Sequence, residues 1–149
     1  MIDKPAIYAL YKKAIGEKIR LLQSSLDELK EIGKNETKST AGDKHETALA
    51  MVQLEQEKKR IQLREVQQQL ADFEKIDPGK TAFNVGRGSL VVTSKGLFYL
   101  SLALGKIVID GKPIIAISPQ SPLGQQLMGR TSGDTIIVHS VGYTIESVH

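Results

Sequence analysis

Gly33-Lys34-Asn35-Glu36-Thr37-Lys38-Ser39-Thr40-Ala41-Gly42-Asp43-Lys44-His45-Glu46 is the stretch on which the fold turns. Gly33 reads as a helix stop, because only glycine takes the left-handed C′ conformation without a steric penalty. Asp43 followed three residues later by Glu46 reads as a helix start of the capping-box type, with Asp in place of Ser or Thr. A long helical pattern lies on each side. The stretch is therefore expected to be the tip of a helical hairpin, with two carboxylates where the second helix begins.

Before the tip, Tyr8, Tyr11, Ile15, Ile19, Leu22, Leu26 and Leu29 follow at steps of three or four and form one apolar stripe. The helix is expected over about 5–32, with Asp3 as its cap and Pro5 in its first turn. After the tip, about 46–76, Leu49, Val52, Leu63, Val66, Leu70 and Phe73 fall on one heptad seam, with Gln56 and Lys59 in the slots between them. A polar seam position lowers stability but fixes register. The two helices, each roughly 40–45 Å long at about 1.5 Å per residue, are expected to pair as an antiparallel coiled-coil hairpin.

Asp77-Pro78-Gly79-Lys80 ends the helical pattern, since proline cannot continue it. The domain boundary is placed there, giving 1–77 as the hairpin and 78–149 as a second domain. From Thr81 onward glycine becomes frequent and β-branched residues cluster. Strands are expected at Ser89–Thr93, Leu97–Leu102, Lys106–Asp110, Ile114–Ser118, Thr135–His139 and Tyr143–Val148. Asp110-Gly111 is the strongest hairpin turn among them. Ser121-Pro122-Leu123-Gly124-Gln125-Gln126-Leu127-Met128-Gly129 reads as a short capped helix, with Ser at the cap, Pro first and Gly last. The fold class is α+β: a helical hairpin, then a small antiparallel sheet with one short helix.

Composition narrows the function. The 149-residue chain is 40% hydrophobic and 25% charged, with net charge +3. That permits contact with nucleic acid or an acidic surface without demanding it. With no cysteine, disulfides and thiolate chemistry are excluded. The first residues lack the apolar run of a signal peptide, and no stretch approaches the ~20 apolar residues of a membrane span, so no membrane partner and a cytoplasmic location are expected.

Two motifs together resemble the Gre-factor family, the bacterial transcript-cleavage factors GreA and GreB. Gly42-Asp43-x-x-Glu46-x-Ala48 is similar to that family's acidic tip, and Ser121-Pro122-Leu123-Gly124-x-x-Leu127-Met128-Gly129 with Gly133-Asp134 is similar to its C-terminal signature. The resemblance covers nearly the whole chain and implies a C-terminal domain like that of FK506-binding proteins. It implies that the hairpin enters the secondary channel of RNA polymerase. Asp43 and Glu46 would help hold a catalytic Mg²⁺ shared with the polymerase, which itself hydrolyses backtracked RNA. On this reading the chain is no enzyme alone and has no cofactor of its own. Ser121, Pro122, Leu123 and Gly124 would shape the polymerase contact, nascent RNA would lie within reach, and a monomer is expected.

The tip departs from the family's pattern. Thr47, Leu49-Ala50 and Leu54 stand where the family has Asn, Glu-Tyr and a basic residue. That pattern suits a channel-occupying regulator without cleavage activity as an alternative. A prolyl isomerase ranks below both, since Phe83, Phe98, Tyr99 and Tyr143 are few and no tryptophan floors a proline pocket. Asp-x-x-Glu is also an ordinary helix cap. His45 makes no metal site with two carboxylates in one loop, and His139 and His149 read as structural or solvated. Lys58-Lys59-Arg60 with Arg64 reads as a solvated face interleaved with Glu55, Glu57 and Glu65. Gly86-Arg87-Gly88 is no phosphate loop, because it lacks Gly-Lys-Ser/Thr and precedes a strand. Ser121 is a cap rather than a nucleophile.

Overall fold

The structure, a computed structural model, describes residues 3–37 and 43–149, with the side chains of residues 36, 37 and 43–45 outside the described ones. Two long helices, α1 (Lys4–Thr37) and α2 (Asp43–Phe73), precede six strands: β1 (Leu90–Thr93), β2 (Gly96–Leu100), β3 (Gly105–Ile109), β4 (Lys112–Ile117), β5 (Thr135–Val138) and β6 (Val141–Val148). One short helix, α3 (Pro122–Leu127), lies between β4 and β5. The chain forms two compact units: Lys13–Ala71, and Met1–Lys12 together with Asp72–His149.

The Lys13–Ala71 unit is a pair of antiparallel helices. Gln56 Nε2 donates to the Leu29 carbonyl at 3.3 Å, and Gly33 faces Val52 and Gln56, so positions rising along α1 meet positions falling along α2. The expected seam forms. Ile15 and Leu26 are buried and Ile19, Leu22 and Leu29 half-buried, opposite half-buried Leu49, Val52, Leu63, Val66 and Leu70. The polar middle is accommodated: Gln56 satisfies a helix carbonyl, and Lys59 pairs with Glu55 at 4.0 Å.

Both inner helix ends differ from expectation. Gly33 does not stop α1, which runs on to Thr37. Glycine inside a helix costs about 1 kcal/mol. Here α2 passes close by, since a Cβ on Gly33 would meet Val52 and Gln56 at 3.7 Å, and Lys34 pairs with Glu31 at 3.3 Å across the glycine. Contact with α2 holds helical what local propensity would release. Asp43 is already helical, so it lies in the first turn of α2 rather than before it. Of the expected loop from Gly33 to Glu46, residues 33–37 and 43–46 are helical, and residues 38–42 lie outside the described ones. At the far end α2 stops at Phe73, three residues short of Ile76.

In the other unit the strands order as β3-β4-β2-β1-β6-β5. All six expected strands are present within a few residues. The sheet is not wholly antiparallel: β2 and β4 run parallel, Leu97 opposite Ile114 through Leu100 opposite Ile117. Alternation along a strand reports which face a residue takes, not the direction of its neighbour. Val91, Phe98, Leu100, Ile136 and Ile145 form one core with Val85 and with Leu127 of α3.

Alternation sends Leu90, Tyr99, Ile114 and Ala116 to the opposite face, and they are also buried. Their cover comes from the first turns of α1 and the end of α2. Tyr11 stacks on Tyr99 with ring centroids 6.0 Å apart, Phe73 meets Tyr99 edge-on at 6.4 Å and Tyr8 face-on at 4.7 Å. Asp3 caps α1, its Oδ1 accepting from Ala6 N at 3.1 Å. Buried Lys4 donates to the carbonyls of Lys80 (2.7 Å) and His149 (3.2 Å). The turn Asp77–Lys80, expected as the domain boundary, lies within this unit.

Two buried phenols at this face, Tyr11 and Tyr99, set an alkaline limit on stability. The Tyr11 hydroxyl lies 2.8 Å from the Gly105 carbonyl and 3.0 Å from that of Ile114, whereas the buried Tyr99 hydroxyl has no hydrogen-bond partner among the described residues. Burial pushes both up to about 12, with the neighbouring Tyr8 and Tyr11 phenols adding to the effect at Tyr99. The unfolded chain ionises these groups near 10, so stability is intact below pH ~10 and is lost as pH rises towards ~12, by roughly 2–3 kcal/mol for each tyrosine. Burial lowers Lys4, against the field of Asp77, so its penalty is relieved as pH rises and opposes part of the loss. Tyr99→Phe removes an unpaired hydroxyl; it should be neutral or stabilising by about 1 kcal/mol at neutral pH and should shrink the alkaline loss. Urea midpoints at neutral pH and at about pH 11 test this. An alkaline loss as large as wild type would contradict it.

Candidate functional site

The acidic tip is built by α2. Glu46 is exposed in its first turns; Asp43 opens the helix, but its side chain, like those of Lys44 and His45, lies outside the described residues. Glu46 stands in the first turns of α2, where the helix dipole favours negative charge. Among the described residues no group of three or more His, Asp or Glu side chains gathers to hold a metal ion.

The second predicted site, Ser121 to Gly124, folds as a capped turn. Ser121 has extended backbone (φ −65°, ψ 158°), and Pro122 begins α3. The Ser121 hydroxyl donates to the Ser118 carbonyl at 2.7 Å and accepts from Gly124 N at 3.0 Å. Gly124 is buried so tightly that a Cβ there would overlap the Ser118 carbonyl oxygen. Leu123 packs on the core and Leu127 is fully buried. Asp134 works the same way, its Oδ2 accepting from Thr131 N at 2.9 Å. Most of this signature makes the fold; the side chains it leaves exposed are Pro122, Gln125, Gln126 and Met128.

The basic cluster of α2 is internally paired. Arg60 and Arg64 reach Glu57 at 3.6 and 4.0 Å, and Lys59 reaches Glu55. His139 does not lie on a strand but in the two-residue turn between β5 and β6, where it and Ser140 take φ of 50° and 66°. His149 is tied by backbone bonds to Leu90 and by its ring to Ser147 Oγ at 3.0 Å. Sequence reasoning missed one feature. Lys75, Lys80 and Arg87 line a single cleft with Gly86 and Gly88, and Phe83 is 82% exposed beside it in the chain. The signal was three cations between residues 75 and 87, of which only the Gly86-Arg87-Gly88 stretch was weighed, as a phosphate loop. No helix among the described residues is long and apolar enough to cross a membrane.

No protein-family model and no curated protein matches the chain. Among solved structures it is similar to the GreA factor homolog 1 (Gfh1) protein of Thermus thermophilus, at 17% identity over 93% of this chain and 94% of that one, with a TM-score of 0.36. A second structure, of the transcription factor Gfh1, is similar at 17% identity, 93% and 92% coverage and a TM-score of 0.35. With identity and TM-scores this low, neither likeness carries an argument about function.

Proposed function

We propose that the chain is a Gre-like transcription factor that enters the secondary channel of RNA polymerase and stimulates cleavage of backtracked RNA. One observation carries this reading. Asp43 opens α2, the second of two paired antiparallel helices, with Glu46 and Ala48 following in its first turns. The Ser121–Asp134 signature, folded as a capped turn and helix, supports it from the other unit.

Mg²⁺ takes hard oxygen ligands and keeps several waters, so one or two added carboxylates suffice to help hold it. When bound, the ion activates water for hydrolysis and steadies the leaving oxygen. Asp43 and Glu46 would supply those oxygens, and the polymerase would supply the remaining ligands and the active site. The chain acts on the polymerase and is not itself the enzyme.

A second reading is a channel-occupying regulator without cleavage activity. Leu54 is 68% exposed and Met51 63% exposed, so the flank behind the tip offers apolar surface where the resemblance calls for a cation. Two measurements separate the readings: capture of RNA polymerase by the purified protein, and transcript cleavage on stalled complexes. Wild type should bind and stimulate cleavage, and Asp43→Asn with Glu46→Gln should bind equally but lose at least about tenfold of the stimulation. Binding without stimulation supports the regulator. Absence of binding overturns both.

A further inference from the structure

We infer that the cleft formed by Lys75, Lys80 and Arg87, together with Phe83, which follows the lining residue Ala82 in the chain, binds single-stranded nucleic acid. The inference goes beyond the polymerase reading and does not depend on it.

The cleft has a volume of about 510 Å³ and is lined by the segment that follows α2 and by the turn before β1. All three cations are exposed. Lys75 is partly neutralised by Asp72 at 3.4 Å. Arg87 spends one donor on the Asp72 backbone carbonyl at 3.0 Å and keeps the rest of its five-donor fork. Lys80 pairs with no carboxylate among the described residues. Asp77, the acid lining the cleft, has its Oδ1 turned to Gly79 N at 2.9 Å. Asp77 keeps its charge, and the lining cations outnumber it three to one.

The cleft's backbone favours a polymer over a small phosphate. Gly86 N donates to Ser89 Oγ (2.9 Å) and Gly88 N to the Leu100 carbonyl (2.6 Å), so these amides are spent inside the fold and form no anion nest. What remains are long side-chain cations, which suit spaced backbone phosphates.

Phe83 supplies the second requirement. It follows Ala82, which lines the cleft, and it is 82% exposed, the highest value among the large exposed hydrophobics of the described residues. Its neighbours are held firmly: Asn84 Nδ2 donates to the Gly129 carbonyl at 3.0 Å, and Val85 N to that of Arg130 at 2.8 Å. A solvent-facing aromatic one residue along the chain from the lining of a basic cleft matches the pairing on which unpaired bases stack while cations follow the backbone. A duplex keeps its bases stacked on each other and has nothing to offer the ring.

The test is fluorescence anisotropy with the full chain alone, using labelled oligo(U), oligo(dT) and a duplex of equal length. Both single strands should bind, with affinity falling as salt rises at a log–log slope of about −2, as about three neutralised phosphates require. Lys80→Glu with Arg87→Glu should weaken binding by at least about tenfold. Phe83→Ala should weaken it by roughly five- to a hundredfold, and Phe83→Trp should restore it. Lys95→Glu, exposed in the β1–β2 turn, should change little. No binding at low salt, equal binding of duplex, or indifference to either the charge reversals or Phe83→Ala would overturn the assignment. Because no polymerase is present, failure here leaves the polymerase reading standing.

Discussion

Phe73→Ala is expected to cost the sheet-containing unit about 3–5 kcal/mol of stability. Phe73 is fully buried, stacks on Tyr8 at 4.7 Å and meets Tyr99 edge-on at 6.4 Å. Truncation removes the ring's transfer free energy and leaves a cavity between the end of α2 and the sheet face it covers. The site cannot collapse easily, because Tyr11 and Tyr99 are themselves fully buried on that face. Phe73→Leu, nearer in volume, should cost about 1–1.5 kcal/mol. The readout is clean: the chain has no tryptophan and four tyrosines, and Tyr8, Tyr11, Tyr99 and Tyr143 all belong to the unit in question. Tyrosine fluorescence during urea unfolding therefore reports that unit rather than the helical pair. A loss below about 1 kcal/mol would show that the end of α2 does not cover this face.

Gly124→Ala should destabilise the same unit by about 2–4 kcal/mol, against what helix propensity alone suggests. Alanine is the better helix former by about 1 kcal/mol. Its methyl group, however, would overlap the Ser118 carbonyl oxygen and lie 2.9 Å from Ser121 Oγ and 3.0 Å from Pro119 Cα. That carbonyl cannot simply move aside, because it accepts from Ser121 N at 3.1 Å and from the Ser121 hydroxyl at 2.7 Å. Relief requires breaking the cap or lifting α3 away, with Leu127, from the core. Steric cost therefore outweighs propensity. Gln125→Ala, exposed one position along, should stay within about 0.5 kcal/mol of wild type. A neutral or stabilising Gly124→Ala in urea unfolding would mean that α3 sits further from the Ser118–Ser121 turn.

The same residue shows why the C-terminal signature looked like a docking motif. Ser, Pro and Gly at fixed spacing are visible in any sequence, and they predicted the cap, the first helical position and the helix correctly. Whether Gly124 is glycine for a partner or for a carbonyl three-dimensionally above it is invisible until the chain is folded. The tip carboxylates are the reverse case: their spacing is legible, and the work proposed for them needs a partner that the fold alone does not supply.

Periodicity by itself determined the two long helices, their seam and every strand, because an apolar stripe of period 3.6 or 2 must find a face to bury. Asp3 was readable as a cap and Ser121 likewise, since capping is local chemistry. Only the tertiary structure decided that Gly33 stays helical, that β2 and β4 run parallel, and that α1 and α2 lend their ends to the sheet. Each of these rests on residues far apart in the chain meeting across a packed surface. A local pattern says that Tyr11 and Phe73 are to be buried, and it takes the folded sheet to say against Tyr99.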